Sequence, residues 1–152
     1  MGISRTALHE LRKYLPFTQL RFHCSKQRGR TLHVITVTNS TGEAVVQYFS
    51  AQSTDLKPAS CGSFVRMEDD NSQSAKQCAR WGYNESTGEY YVGKWGGVPW
   101  LNSSSDDLMY DHAFFTRSAN HWVIGRTLAK RWECDDLFDS PSPKDFWRIF
   151  VR

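Results

Sequence analysis

Three kinds of side-chain grouping in this sequence could do chemistry. Carboxylates cluster at Glu68-Asp69-Asp70, at Asp106, Asp107 and Asp111, and at Glu133, Asp135 and Asp136. Adjacent carboxylates on loops can supply several of the six to eight oxygens that calcium takes. Calcium is therefore the candidate cofactor, with Asp69, Asp70, Asp135 and Asp136 as its ligands, although no cluster has EF-hand spacing. The second grouping is aromatic. Trp95-Gly96-Gly97-Val98-Pro99-Trp100-Leu101-Asn102 precedes Asp106, Asp107, Tyr110, Asp111 and His112. Trp95 is expected in the core, and Trp100, beside a proline in a glycine loop, is expected outside it. An exposed indole offers a flat face to a sugar ring or an apolar partner, and nearby amides and carboxylates accept hydrogen bonds from hydroxyls. Trp100, Asn102, Asp106, Asp107, Tyr110, Asp111 and His112 are thus the candidate ligand-binding residues. The competing reading is that Trp100 only caps the end of a barrel.

The third grouping is histidine. Asp111-His112 is the one adjacent acid–base pair, and His23 and His33 occupy solvent-alternating positions of neighbouring strands, where they could meet across a sheet. The chain has no G-x-S-x-G, no H-E-x-x-H and no phosphate-binding glycine loop, so no catalytic residue is assigned and an enzyme is not expected. The basic turn Lys26, Arg28, Arg30 could meet sulfated glycans or phosphates. It is short and lacks a stacking platform, and a net charge of +3 is small, so a nucleic-acid partner is not expected. Residues 1–30 hold seven basic side chains against Glu10, a balance of +6 that leaves −3 for the rest and gives the molecule two differently charged parts.

Four cysteines, Cys24, Cys61, Cys78 and Cys134, occur without a C-x-x-C pair, which disfavours structural zinc and favours two disulfides. Three pairings exist, of which Cys61–Cys78 with Cys24–Cys134 is preferred. The first bridge closes a loop of about 15 residues, a restraint of up to ~3 kcal/mol. Sequons at Asn39-Ser40-Thr41, Asn84-Glu85-Ser86 and Asn102-Ser103-Ser104 make Asn39, Asn84 and Asn102 candidate glycosylation sites. Both features fit an oxidising, extracellular setting. The start lacks an apolar signal region, so a secretory signal is expected outside this chain; Met1-Gly2-Ile3-Ser4-Arg5-Thr6 also fits the loose myristoylation pattern. No run approaches the ~18 apolar residues of a membrane span.

The elements that must position these groups follow from periodicity. Ser4 to Leu15 predicts a helix, with Leu8, Leu11 and Leu15 on one stripe and Pro16 ending it. From Leu20 the period becomes two, and Thr31–Thr38 and Ala44–Ser50 are β-branched runs joined by Asn39-Ser40-Thr41-Gly42-Glu43, which predicts a hairpin with Gly42 at positive φ. Further strands are expected at Ser63–Met67, on both sides of Asn84–Gly88, at Asn120–Ile124, Arg131–Cys134 and Asp145–Arg152, with a helical turn before Cys78. With 39% hydrophobic residues but 14% aromatic, the core must lean on rings. The expected fold is all-β: an antiparallel sandwich or barrel of about eight short strands, with one short N-terminal helix. Residues 1–18 form the helix and linker segment, and 19–152 a disulfide-stabilised β domain. The expected function is that of a secreted, glycan-binding, lectin-like module using the Trp100 loop and acidic loops, assisted by calcium. The alternative is a structural or assembly module of an extracellular matrix or multidomain protein, with protein partners only.

Overall fold

A computed structural model of the chain describes residues 5–52, 57–84, 86–96 and 146–152, with two short strands at 123–124 and 132–133. In chain order the elements are α1 (Arg5–Tyr14), β1 (Leu20–Ser25), β2 (Thr31–Thr36), α2 (Ser40–Phe49), β3 (Phe64–Arg66), α3 (Gln73–Lys76), β4 (Tyr83–Asn84), β5 (Glu89–Tyr90), β6 (Val123–Ile124), β7 (Trp132–Glu133) and β8 (Phe146–Val151). A 3-10 turn spans Cys78–Arg80. Among the described residues the strands pair antiparallel, in a four-stranded sheet of order β3-β2-β1-β8 and in two ribbons, β4-β5 and β6-β7. The mainly-β expectation therefore holds. The sheet is not closed, and three short helices stand where one was expected.

Alternation sets the two faces of the sheet. Leu20, Phe22 and Cys24 of β1 are buried while Arg21, His23 and Ser25 are half-buried. Pairing places Phe22 opposite Val34 on one side and Ile149 on the other. It places His23 opposite His33 and Arg148. One face thus carries the core and the other carries polar and aromatic residues, as period-two strands require.

The largest departure from expectation is α2. Asn39 to Ser50 was predicted as a hairpin turn and strand, and it is a helix. Val45, Val46, Tyr48 and Phe49 favour strands in isolation. Yet Gly42, Val45, Val46 and Phe49 fall at i, i+3, i+4 and i+7, and all four are buried. Asn39 starts the helix, its Oδ1 accepting from the N–H groups of Thr41 and Gly42 at 3.0 and 3.3 Å. Gly42 does not take positive φ. It is a glycine because α2 crosses Val37 so closely that an added Cβ would lie 1.8 Å from the Val37 carbonyl oxygen.

Helix α1 docks on α2. Leu8 is buried, the Arg12 guanidinium donates to both Glu43 oxygens at 2.8 Å, and Arg5 donates to the Tyr48 carbonyl. The core between α2 and the sheet is aromatic. Phe22, Phe49, Phe64, Trp81 and Trp95 meet with ring centroids 4.8–5.7 Å apart, mostly edge to face. Both indoles are fully buried, Trp95 as expected, and both are satisfied: Trp95 Nε1 donates to Ser63 Oγ at 2.8 Å and Trp81 Nε1 to the Ser74 carbonyl at 2.9 Å. The Cys61–Cys78 bridge ties the segment before β3 to the 3-10 turn. Cys24 is also disulfide-bonded, and Cys134, its expected partner, lies outside the described residues.

Candidate functional site

The two described surfaces with chemical character are a histidine stack on the outer sheet face and a tyrosine ledge at the β4–β5 hairpin. Strand pairing builds the first. His23 and His33 are direct cross-strand neighbours, and their rings lie face to face, 3.9 Å apart and 9° from parallel. Phe146 of β8 meets His23 edge on at 4.9 Å. The turn after β3 delivers the third member: Asp69 Oδ1 lies 2.5 Å from His33 Nδ1, and Oδ2 lies 3.7 Å from His23 Nε2. The neighbouring Asp70 fixes that turn. It is buried, its Oδ1 accepts from the His33 backbone N–H at 2.9 Å and from Ser72 Oγ at 2.9 Å, and its Oδ2 accepts from Arg66 Nε at 2.6 Å.

The electrostatics follow from this crowding. Burial holds His23 below the ordinary imidazole range; the positive groups His33, Arg21 and Arg148 push the same way, and Asp69 opposes them. Burial raises Asp69, but the hydrogen bond and charge of His33, with lesser help from His23, outweigh it and hold the carboxyl below its usual range. His33 Nε2 is buried with no hydrogen-bond partner among the described residues.

Two imidazoles and a carboxylate are a familiar donor set for zinc, but these rings are badly placed for it. A nitrogen lone pair points within its ring plane. An ion shared by two parallel rings 3.9 Å apart would stand about 2 Å out of each plane, the length of a whole Zn–N bond. Calcium prefers oxygens, and only Asp69 offers them here.

The tyrosine ledge comes from the hairpin. Tyr83 and Tyr90 pair across β4–β5 with centroids 4.6 Å apart, and Gly88, at φ 71°, turns the chain between them. Tyr91 follows in the left-handed region, at φ 64°, which is rare for an aromatic residue. Its N–H is held by the Gly82 carbonyl at 3.1 Å, the residue is 38% exposed, and the Arg80 guanidinium lies over its ring, 4.8 Å from the centroid. Arg80 belongs to the turn that the Cys61–Cys78 bridge anchors. Gly88, Glu89, Tyr90, Tyr91 and Val92 line an open depression of about 620 Å³. It combines aromatic faces, a carboxylate and backbone amides, the mixture that small polar ligands use.

Of the residues expected to form a site, Trp100, Asn102, Asp106, Asp107, Tyr110, Asp111 and His112 lie outside the described residues, as do Asp135 and Asp136. Asp69 and Asp70 are adjacent but turn to different partners, one to imidazoles and one to the backbone and Arg66. Asn39 is exposed, and its cap uses Oδ1 alone, leaving Nδ2, the atom a glycan joins, outside the cap. Asn84 is half-buried, its Oδ1 accepting from the Ser86 N–H at 3.0 Å. In the basic turn Arg28 is exposed and Lys26 is buried. The meeting of His23 and His33 was legible from alternation. The arrival of Asp69 was missed, although a strand ending at Arg66 beside β2 carries the next turn past His33. The ledge was missed because no spacing announces a tyrosine at positive φ. Compared with protein-family models, with curated proteins and with solved structures, the chain matches none significantly.

Proposed function

We propose that this protein is an extracellular, disulfide-stabilised binding module whose ligands are glycans. The observation that carries the reading is the Tyr90–Tyr91 ledge. A solvent-facing aromatic ring held in a strained backbone conformation, with Glu89 and Arg80 beside it, suits a sugar. The ring takes the apolar face of the pyranose, and the charged groups take its hydroxyls. The strain at Tyr91 is maintained by the hairpin and the nearby bridge, and a rigid aromatic platform loses little entropy on binding. The sequence-based ligand candidates Trp100, Asn102, Asp106, Asp107, Tyr110, Asp111 and His112 belong to the same reading. Calcium is a candidate aid to binding by the acidic loops, as it is where carboxylates bridge metal and hydroxyl. The Cys61–Cys78 bridge and the exposed sequon at Asn39 are compatible with an oxidising compartment.

A glycan-array screen of eukaryotically secreted protein, run with calcium and again with EDTA, tests this. The expected result is a coherent set of related sugars whose signal is lost in Tyr91→Ala while Tm stays the same. A blank array in both conditions contradicts it and favours a structural module that recognises other proteins.

A further inference from the structure

We propose that β8 pairs edge to edge with the β8 of a second copy of this chain, joining two four-stranded sheets into one across a two-fold axis at Ile149. β8 ends the sheet, with β1 on its one paired side. The ladder with β1 fixes which backbone groups are spent. Arg152 and Gln19 exchange both their hydrogen bonds, at 3.0 Å each. The bonded pairs along the ladder are therefore Arg152 with Gln19, Phe150 with Arg21, Arg148 with His23 and Phe146 with Ser25. The N–H and C=O groups of Trp147, Ile149 and Val151 point away from β1, and among the described residues no hydrogen bond meets those of Ile149 and Val151. Natural sheets blunt such edges by keeping them short, bending them, or placing proline or lysine there. β3, the other edge, is only three residues long. β8 runs for six, Phe-Trp-Arg-Ile-Phe-Val, with no proline or glycine and one charge. It is an edge that accepts another strand.

The side chains select the partner. On the outer face, β8 and the residue after it read Phe146, Arg148, Phe150, Arg152. Guanidinium–ring contacts already hold this face together. Arg21 lies 3.9 Å over the Phe150 ring across the ladder, and Arg148 lies 4.7 Å over the Phe146 ring along the strand. An antiparallel copy centred on Ile149 continues the pattern. Arg148, which is exposed, falls opposite Phe150 of the second copy, and Arg152 falls opposite its Phe146. The two-fold axis repeats both pairs. A ring has two faces, and Arg21 covers one of those of Phe150. The same register aligns the outward backbone groups: Ile149 meets Ile149, and Trp147 meets Val151 on each side of the axis, every pair exchanging both bonds. Sliding the strands by two residues keeps most of those bonds. It sets Arg148 against Arg148 in one direction and against Arg152 in the other, like charges directly opposed. One register thus satisfies backbone and charge together, and the strand that supplies it is β8 itself.

Strand pairing alone buries less than the about 1,200 Å² at the bottom of the standard range for stable interfaces. The dimer is therefore a weak one, half formed at a chain concentration on the order of tens of micromolar. The pairing does not depend on what the tyrosine ledge binds.

Sedimentation equilibrium and amide hydrogen exchange on the intact chain, each run from about 5 μM to about 500 μM, test the pairing. The expected result is a monomer–dimer equilibrium in which protection at the amides of Trp147, Ile149 and Val151 rises severalfold with concentration. The amides of Arg148 and Phe150, already bonded to β1, should not change. Phe150→Arg sets like charges opposite Arg148 of the second copy and should weaken the dimer about tenfold. Phe150→Glu sets a carboxylate there and should keep or tighten it. A monomer at every concentration overturns the proposal, as does a dimer whose three edge amides exchange equally fast throughout. Protection of those amides already in the monomer also overturns it, by showing the edge covered within one chain. Equal weakening by the two substitutions overturns the register. Should both variants fail to fold, the concentration dependence of the three wild-type amides still decides.

Discussion

Asp69 and Asp70 are neighbours in sequence with opposite employments. Asp70 has no exposed side-chain surface and gathers a backbone N–H, a serine hydroxyl and the Arg66 guanidinium, whereas Asp69 is more than half exposed and meets only imidazoles. Asp70 is thus the residue that shapes the turn, and Asp69 the one the turn presents. Replacing Asp70 with Ala leaves the His33 N–H and Ser72 hydroxyl without their acceptor and Arg66 without its ion. Because Arg66 is partly exposed, the cost should be toward the lower end for a buried charge-assisted network, about 2–3 kcal/mol. A shift of the urea midpoint of that size, with an unchanged slope, is the expected measurement. A change below about 0.5 kcal/mol, ordinary for a surface position, would show that the turn is shaped by something else.

At the scale of elements, legibility tracked how far local signals agreed with tertiary ones. β1 was readable from its alternation and β2 from its β-branched run, and the faces assigned to β8, with Ile149 and Val151 on one and Phe146, Arg148 and Phe150 on the other, are those its register with β1 requires. Helix α1 was readable from its leucine stripe and Pro16. Helix α2 was not, because four residues of strand-favouring type hid a helical period, and because Asn-Ser-Thr-Gly serves equally as a hairpin turn or a cap followed by a close crossing. The histidine stack was half legible for the same reason: strand alternation brings His23 to His33, but no local pattern says which loop will cover them. Gly42 offers a test of the corrected element. In a flexible hairpin turn Gly42→Ala should matter little. In a helix whose first turn lies on the Val37 carbonyl, where the added Cβ would overlap that oxygen at 1.8 Å, overpacking should cost about 1–3 kcal/mol, read as a fall in Tm.

The whole molecule compensates for scarce aliphatic residues with stacked rings and covalent restraint. Phe22, Phe49, Phe64, Trp81 and Trp95 fill the space between α2 and the sheet, and the Cys61–Cys78 bridge holds the 3-10 turn that carries Arg80 to Tyr91. Among the described residues no cysteine is free and no helix is long and apolar enough to cross a membrane. The Cys61–Cys78 bridge is what supports the proposed extracellular reading, since such bridges persist where thiols are not kept reduced. The claim on which the rest depends is therefore the oxidation state of the cysteines in the protein as cells make it. The most direct measurement is a thiol count and disulfide peptide map of denatured protein purified from its native source with thiols blocked at lysis. The account predicts no free thiol and a Cys61–Cys78 cross-linked peptide; four free thiols would contradict the extracellular reading and return the chain to a reducing compartment.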